Sequence, residues 1–231
     1  MDEKTLEGIP IVEKPTEKEA GLANWIAKTT LGKMVKKLEI TSIEEVFNKN
    51  LPILEPEIVD SLLELEEKIV DVKKTTRVTM AGRKFSFRVA VLVGNKNGYV
   101  GLGIAKDTEK WPAVRKAARN AKLNITWVAR GTGSWEEQLQ LGVKHSIPFR
   151  VEGKCGSVRI TLLPAPRGAG LVVGDNIKEV FRAAGITDVW SKTRGATDTK
   201  LNFVRAAIDA LTKTTKTKAS DDILQKIERE R

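Results

Sequence analysis

The sequence predicts an α+β chain: an acidic helical leader, then an antiparallel sheet flanked by helices, then a second unit of strands and helices. Three observations predict it. Residues 84–93 follow the period-two pattern of a half-buried strand, with Phe85, Phe87, Val89, Val91 and Val93 on one face and Ser86, Arg88, Ala90 and Leu92 on the other. Asn95-Lys96-Asn97-Gly98 follows at once and is hairpin-turn chemistry, because Asn and Gly tolerate positive φ. The charge is divided along the chain. Residues 1–70 hold nine lysines, no arginine and 15 acids, whereas residues 71–231 hold 31 basic and 15 acidic residues, a net of −6 against +16.

Each element has its own signal. Residues 1–20 are polar with Pro10 and Pro15 and read as a loose arm. Residues 21–37, with Leu22, Trp25, Ile26, Met34 and Val35, read as helical with a break at Gly32. Thr41-x-x-Glu44 and Ser42-x-x-Glu45 are overlapping capping boxes ahead of a short helix holding Val46 and Phe47. Pro56 opens the next helix and places Ile58, Leu62, Leu65 and Ile69 on one stripe. Strands follow over 70–80, 84–93 and 99–105, the first two joined by a reversal at Ala81-Gly82-Arg83. Asp107 or Thr108 then caps a helix ending near Lys122, with Pro112 in its first turn. Helix, three antiparallel strands, helix is the double-stranded-RNA-binding arrangement. A short strand over 123–128 leads into a turn-rich loop, 130–134, and a stretch from Trp135 to Gly142 without a clear pattern. The second unit starts at His145. It has strands 147–152 and 157–163 around the turn Gly153-Lys154-Cys155-Gly156, a Pro/Gly loop over 164–170 and a helix over 176–184 closed by Gly185. A strand over 187–192 and a helix over 199–211, with Leu201, Val204, Ile208 and Leu211 on one face, complete it. A polar tail follows, with a helical turn at Ile223–Ile227.

Composition excludes much chemistry. The 231 residues include one cysteine, Cys155, and one histidine, His145, so an intrachain disulfide, a structural zinc site and a Cys-His cluster are excluded. The adjacent acids Glu136 and Glu137 do not face one site, His145 reads as structural or RNA-contacting, and Cys155 reads as packing. No catalytic set, metal or cofactor is expected. No apolar run reaches the ~18 residues of a membrane span, and the N-terminus lacks the apolar region of a secretory signal. Gly101-Leu-Gly103-Ile-Ala-Lys106 has Lys106 where a dinucleotide fingerprint needs its third glycine. Pro166–Gly174 lacks the Lys-Ser/Thr of a P-loop and is either an anion cradle of backbone amides or a loop closing the core.

What remains is charge, and +10 overall with every arginine beyond residue 70 points to nucleic acid. Gly82, Arg83 and Lys84 at the hairpin tip, with Lys73, Lys74 and Arg77 on the incoming strand and Arg88 on the outgoing one, suit a phosphate groove. Arg115 and Arg119 share a helix face with Lys122, either as phosphate ligands or as a solvated side. Trp127 and Trp190 read as core, while Trp25 and Trp111 are open to stacking or packing.

Several stretches resemble the universal small-subunit ribosomal protein S-five family in its archaeal and eukaryotic-like form. They are Gly82-Arg-Lys-Phe-Ser-Phe87, Val93-Gly-Asn-Lys-Asn-Gly98, Val100-Gly-Leu-Gly-Ile-Ala-Lys106, Ala113-Val-Arg-Lys-Ala117, Pro164-Ala-Pro-Arg-Gly-Ala-Gly170, Ala183 through Gly195, and Asn202-Phe-Val-Arg-Ala-Ala207. The resemblance implies an N-terminal extension (1–64), a double-stranded-RNA-binding-like domain (65–128), a two-layer α/β domain of three strands, helix, strand, helix (129–212) and a polar tail (213–231). It implies a structural constituent of the 30S subunit in the cytoplasm. That protein would bind 16S rRNA near the central junction and the body–head neck, beside the mRNA entry path, and support decoding accuracy. It further implies contacts with ribosomal proteins S-four and S-eight, the S-four surface including Gly153 and Arg159, and adds Arg167, Lys192 and Arg194 to the rRNA contacts. The second domain's architecture is also similar to one in small-molecule kinases, but a Ser-rich phosphate loop with a Mg²⁺ ligand is missing. A free regulatory double-stranded-RNA binder is the other rival.

Overall fold

The structure, a computed structural model, describes residues 25–132 and 144–216. The expectations for the loose arm, for Trp135–Gly142 with Glu136 and Glu137, and for Ile223–Ile227 lie outside the described residues. The chain divides into two compact units, Met1–Leu62 and Leu63–Arg231. Among the described residues no helix is long and apolar enough to cross a membrane.

The leader unit holds α1 (Thr30–Lys36), α2 (Ile43–Asn48) and α3 (Pro56–Leu62) around Leu31, Val35, Ile40, Val46 and Ile58. One carboxylate ties it together. Glu55 accepts from the Trp25 indole N–H at 2.9 Å and from the amides of Lys28 and Thr29 at 2.9 and 2.7 Å. Burial pushes its carboxyl upward, but the Thr29 and Lys28 amides outweigh it and hold Glu55 below its usual range. Three expectations change here. Gly32 lies inside α1, where a Cβ would sit 2.9 Å from the Glu55 carboxylate and 3.0 Å from the Trp25 ring, so it serves close approach rather than a break. Ser42 is the N-cap of α2, yet its hydroxyl donates to Glu45 at 3.2 Å instead of accepting from the helix backbone. The stripe after Pro56 stops at Leu62. Glu66 already begins a strand and Ile69 lies in it, because a few apolar residues at helical spacing do not separate helix from strand.

Among the described residues the body unit contains two four-stranded sheets. In the first, β1 (Glu66–Thr79), β2 (Gly82–Gly94), β3 (Tyr99–Asp107) and β4 (Ile125–Trp127) pair in sequence order, all antiparallel, with α4 (Lys110–Leu123) between β3 and β4. The second has the order β5 (Val151–Cys155), β6 (Val158–Pro164), β8 (Val189–Arg194), β7 (Leu171–Val172), with only β7 parallel to its neighbour. Helix α5 (Asp175–Ala184) packs against β2 and β3 of the first sheet and against α6 (Lys200–Lys216), which covers β5 and β6 of the second sheet and touches β1 and β4 of the first. Val89, Val91 and Val93 meet Ala113, Ala117, Ala118 and Ala121 of α4. Leu92 and Val100, from the other face, join Val158, Ile160 and Leu162 of the second sheet and Val180, Phe181, Val204 and Leu211 of the helices in one core. The inner half of β2 is therefore buried on both faces, where the alternation predicts one. Its second cover arrives from about 90 residues downstream, beyond the reach of local periodicity.

Glycines set how closely the helices approach. A Cβ on Gly103 would fall 2.0 Å from the Ala117 carbonyl oxygen, and one on Gly153 would fall 2.1 Å from that of Ala206. The Gly101-x-Gly103 pair thus seats α4 on the sheet. Further element bounds differ from the expectations. The hairpin reverses at Met80–Ala81, and Gly82 and Arg83 already pair in β2. Glu109 is the N-cap of α4. Gly153, Lys154 and Cys155 are strand, and the turn is Gly156–Ser157. Trp190 is 43% exposed rather than core. Helix α6 continues through the polar run to Lys216, because Thr214 is buried there, accepting from the Ala129 amide at 3.1 Å and donating to the Leu211 carbonyl at 2.7 Å. Its buried side is Phe203, Val204, Ala206, Ala207, Ala210 and Leu211, with Leu201 and Ile208 at the margin.

The hairpin turn at 95–98 joins the halves of this unit. The Asn95 side-chain oxygen accepts from the amides of Asn97 and Tyr99 at 2.8 and 3.1 Å, with positive φ at Lys96 and Gly98. The Lys96 and Gly98 amides donate to the carbonyls of Ala183 and Ala184, at 2.9 and 3.0 Å, which end α5. Gly185 caps α5 as expected, with φ 75°. Gly103→Ala should lower stability by about 1–3 kcal/mol, the range for an overpacked core, in a denaturant titration. An unchanged midpoint would contradict the close seat of α4.

Candidate nucleic-acid interface

Strand pairing builds a projecting arm. β3 pairs with β2 only over Phe87–Gly94, while β1 and β2 continue to the pair Thr79–Gly82. Residues 75–86 are therefore a two-stranded ribbon reaching roughly 17 Å beyond the third strand at ~3.3 Å per residue. Gly82 has φ 114° with nothing within 4 Å of a Cβ, so glycine is required there by the backbone alone.

The register then sorts the charges, because cross-strand partners share a face. Lys84 lies opposite Arg77, Arg88 opposite Lys73, and Lys106 opposite Arg88. Lys73, Arg77, Lys84, Arg88 and Lys106 thus occupy one face. The acid beside them is Asp71, opposite Ala90 and 4.0 Å from Lys73. The other face carries Val78 opposite Arg83, Thr76 opposite Phe85 and Lys74 opposite Phe87, with the Lys74 ammonium 3.9 Å from the centre of the Phe85 ring. Arg83 and Lys84, neighbours in sequence, face opposite ways.

The remaining sequence candidates fall into separate places. Arg115 and Arg119 are exposed on α4, but Lys122 leaves that basic face to bridge Glu67 at 2.9 Å. On the second sheet, Lys154 lies opposite Arg159, Arg159 opposite Arg194, and Lys192 opposite Thr161. The exposed Lys154, Arg159, Lys192 and Arg194, with half-buried Thr161, border a recess of ≈ 560 Å³. Glu152 lies in the same recess, and the Arg150 guanidinium at 2.7 Å holds its carboxyl below the usual range. Gly153 lines the same recess and is buried under α6, which closes on β5 there. Asp209 holds this edge: burial pushes its carboxyl upward, but the Lys213 ammonium at 2.8 Å and the Lys154 amide at 3.0 Å bring it below the usual range.

Arg167 is exposed on the Pro/Gly loop. That loop is no open anion cradle. The Gly170 amide donates to the buried Asp188 carboxylate at 2.8 Å, and the Thr187 hydroxyl to its other oxygen at 2.8 Å. The anion is the chain's own. His145 is buried beside it, its carbonyl accepting from the amides of Thr187 and Asp188, which is a structural role. Cys155 is half-buried against the shared core. Trp111 is exposed. Sequence reasoning missed Lys106 as a member of the basic face. The signal was present: a hairpin closed around 95–98 pairs residue 88 with residue 106 by simple counting.

Two family profiles match the chain: ribosomal protein S5, N-terminal domain, over residues 65–129, and ribosomal protein S5, C-terminal domain, over residues 153–226. The small ribosomal subunit protein uS5 of Methanothermobacter thermautotrophicus is 51% identical over 207 residues, covering 89% of this chain and 95% of the relative. That of Staphylothermus marinus is 53% identical over 210 residues, 90% of this chain and 97% of the relative. That of Methanocaldococcus jannaschii is 55% identical over 188 residues, 81% and 86%.

The sorted face makes a direct prediction. Lys84→Ala and Arg77→Ala should each reduce the slope of log affinity against log salt for RNA by about 0.7–0.9, with stability within ~0.5 kcal/mol of the parent. Lys122→Ala, removing a cation already engaged by Glu67, should leave the slope unchanged. Equal slopes for all three variants would remove the distinction.

Proposed function

The chain belongs to the ribosomal protein S5 family in its archaeal form; it is a structural protein of the small ribosomal subunit and not an enzyme, and we propose that it binds 16S rRNA near the central junction and the body–head neck. The observation that carries this reading is the projecting ribbon with Lys73, Arg77, Lys84, Arg88 and Lys106 on one face. A two-stranded ribbon has little core of its own, so it depends on what it inserts into. Its cations meet phosphate without being buried in apolar surroundings. Arg83, Lys74 and Gly82 serve the opposite side and the tip, and Arg115 and Arg119 extend the footprint along α4.

Segment 65–128 is the RNA-binding body, a double-stranded-RNA-binding-like sheet backed by α4. Segment 129–212 carries the second basic surface, through Arg167, Lys192 and Arg194, and meets ribosomal protein S-four at Arg159. Gly153 supports that contact from beneath by letting α6 close on β5. Ribosomal protein S-eight and the mRNA entry path are the other neighbours, the setting is the cytoplasmic 30S particle, and the consequence is support for decoding accuracy. The net negative charge of the leader suits a protein partner rather than RNA.

Sedimentation tests this reading against free regulatory binding to RNA duplexes. The full chain should travel with 30S particles at moderate salt. A chain with Lys73, Arg77, Lys84 and Arg88 all changed to Ala should be depleted from them at least several-fold while melting like the parent. Binding to isolated duplexes without entry into 30S particles would overturn the proposal.

A further inference from the structure

The arm has a second face, and the phosphate-binding role leaves its aromatic residues unused. Phe85 is 47% exposed on it, beside half-buried Phe87. At the root of the arm, Phe87 pairs with Asp107, the last residue of β3. Trp111 stands four residues on, in the first turn of α4, and is 66% exposed. Helix α4 covers this same face of the sheet through Val89, Val91 and Val93. Register and helix placement therefore bring Phe85, Phe87 and Trp111 to one end of one face.

Cations are interleaved with these rings. Lys74 lies 3.9 Å from the centre of Phe85 and Lys110 lies 5.7 Å from that of Trp111, and Arg83 shares the face. The acids nearby are Asp107, whose carboxylate already accepts from the Thr108 amide at 2.7 Å, and Glu109, the N-cap of α4. Exposed aromatic faces mixed with lysine and arginine are the chemistry of base stacking beside a phosphate chain. A protein-docking patch would instead be apolar at its centre and depleted in lysine. Bases inside a duplex have no free π-face, so the fitting ligand is unpaired.

We propose that Phe85, Phe87 and Trp111 form a stacking platform for unpaired nucleobases of the RNA whose phosphates the opposite face holds, an inference that rests on the rRNA-binding reading above. The ribbon then offers two kinds of contact: cations alone on one side, and rings interleaved with cations on the other.

The test uses the full chain and two RNA hairpins of equal stem length, one fully paired and one carrying a two-nucleotide bulge with 2-aminopurine. The parent should prefer the bulged RNA by about tenfold, the order of one stacked base, and change the 2-aminopurine fluorescence. Phe85→Leu with Trp111→Leu should abolish both effects, keep affinity for the paired hairpin and melt like the parent, while Phe85→Tyr should retain the preference. Should the double variant melt early, Trp111→Ser alone carries the comparison. A parent without preference, or leucine variants that keep it, overturns the platform while leaving phosphate binding intact. Failure to bind either hairpin overturns both readings.

Discussion

The body unit depends on one capping interaction. A helix ends with carbonyls that no residue of its own can satisfy. The last carbonyls of α5, at Ala183 and Ala184, are taken by the amides of Lys96 and Gly98, from a hairpin turn in the preceding sheet. The fit admits no side chain: a Cβ on Gly185 would lie 1.9 Å from the Lys96 carbonyl oxygen, and one on Gly94 2.6 Å from that of Ala183. The Arg130 guanidinium adds bonds to Lys96 and Asn97, and Lys68 bridges to Glu179 nearby. Leu92 and Val100 then sit in the core of the second half, so residues 63–216 hold together as one unit. A basic arm and a second basic sheet are thereby displayed in a fixed relation.

Register is the second constraint. In a strand the side-chain period is two, so a cation's position in the sequence decides its face. Five cations reach one side of the arm because β1, β2 and β3 bring 73, 77, 84, 88 and 106 into phase. The bulge at Val70 changes the phase of β1, with Ile69 opposite Val91 but Asp71 opposite Ala90. It leaves Glu67 on the α4 side, where it bridges Lys122, and Lys68 on the α5 side. The same shift both anchors the sheet to its helices and aims the cations.

Much of the α+β character was legible in the residues, and the failures are physical. The alternation over 84–93, the turn at 95–98 and the cap at Gly185 could be read because they are local rules with strong residue preferences. The double burial of β2 could not be, since α5 and α6 cover it from far along the chain. The stripe Ile58, Leu62, Leu65, Ile69 misled because it straddles the change from α3 to β1. Polar composition concealed the end of α6, where Thr214 is buried by bonding the Ala129 amide. In the candidate interface, residue types were readable but their faces were not: Arg83 and Lys84 separate, Lys122 is withdrawn by Glu67, and Lys106 joins only once β3 is paired with β2. The Pro/Gly loop looked like an anion cradle for a sound reason, and the structure supplies the anion as Asp188.

A cation face held against 16S rRNA would bring any reagent attached to it within reach of that RNA. The direct measurement is hydroxyl-radical probing from an iron chelate on Ser86→Cys, a neutral position on that face, in a Cys155→Ala background assembled into 30S subunits. Strand cleavage of 16S rRNA should cluster at the neck. Subunits that contain the labelled protein but show no cleavage from position 86 would contradict it.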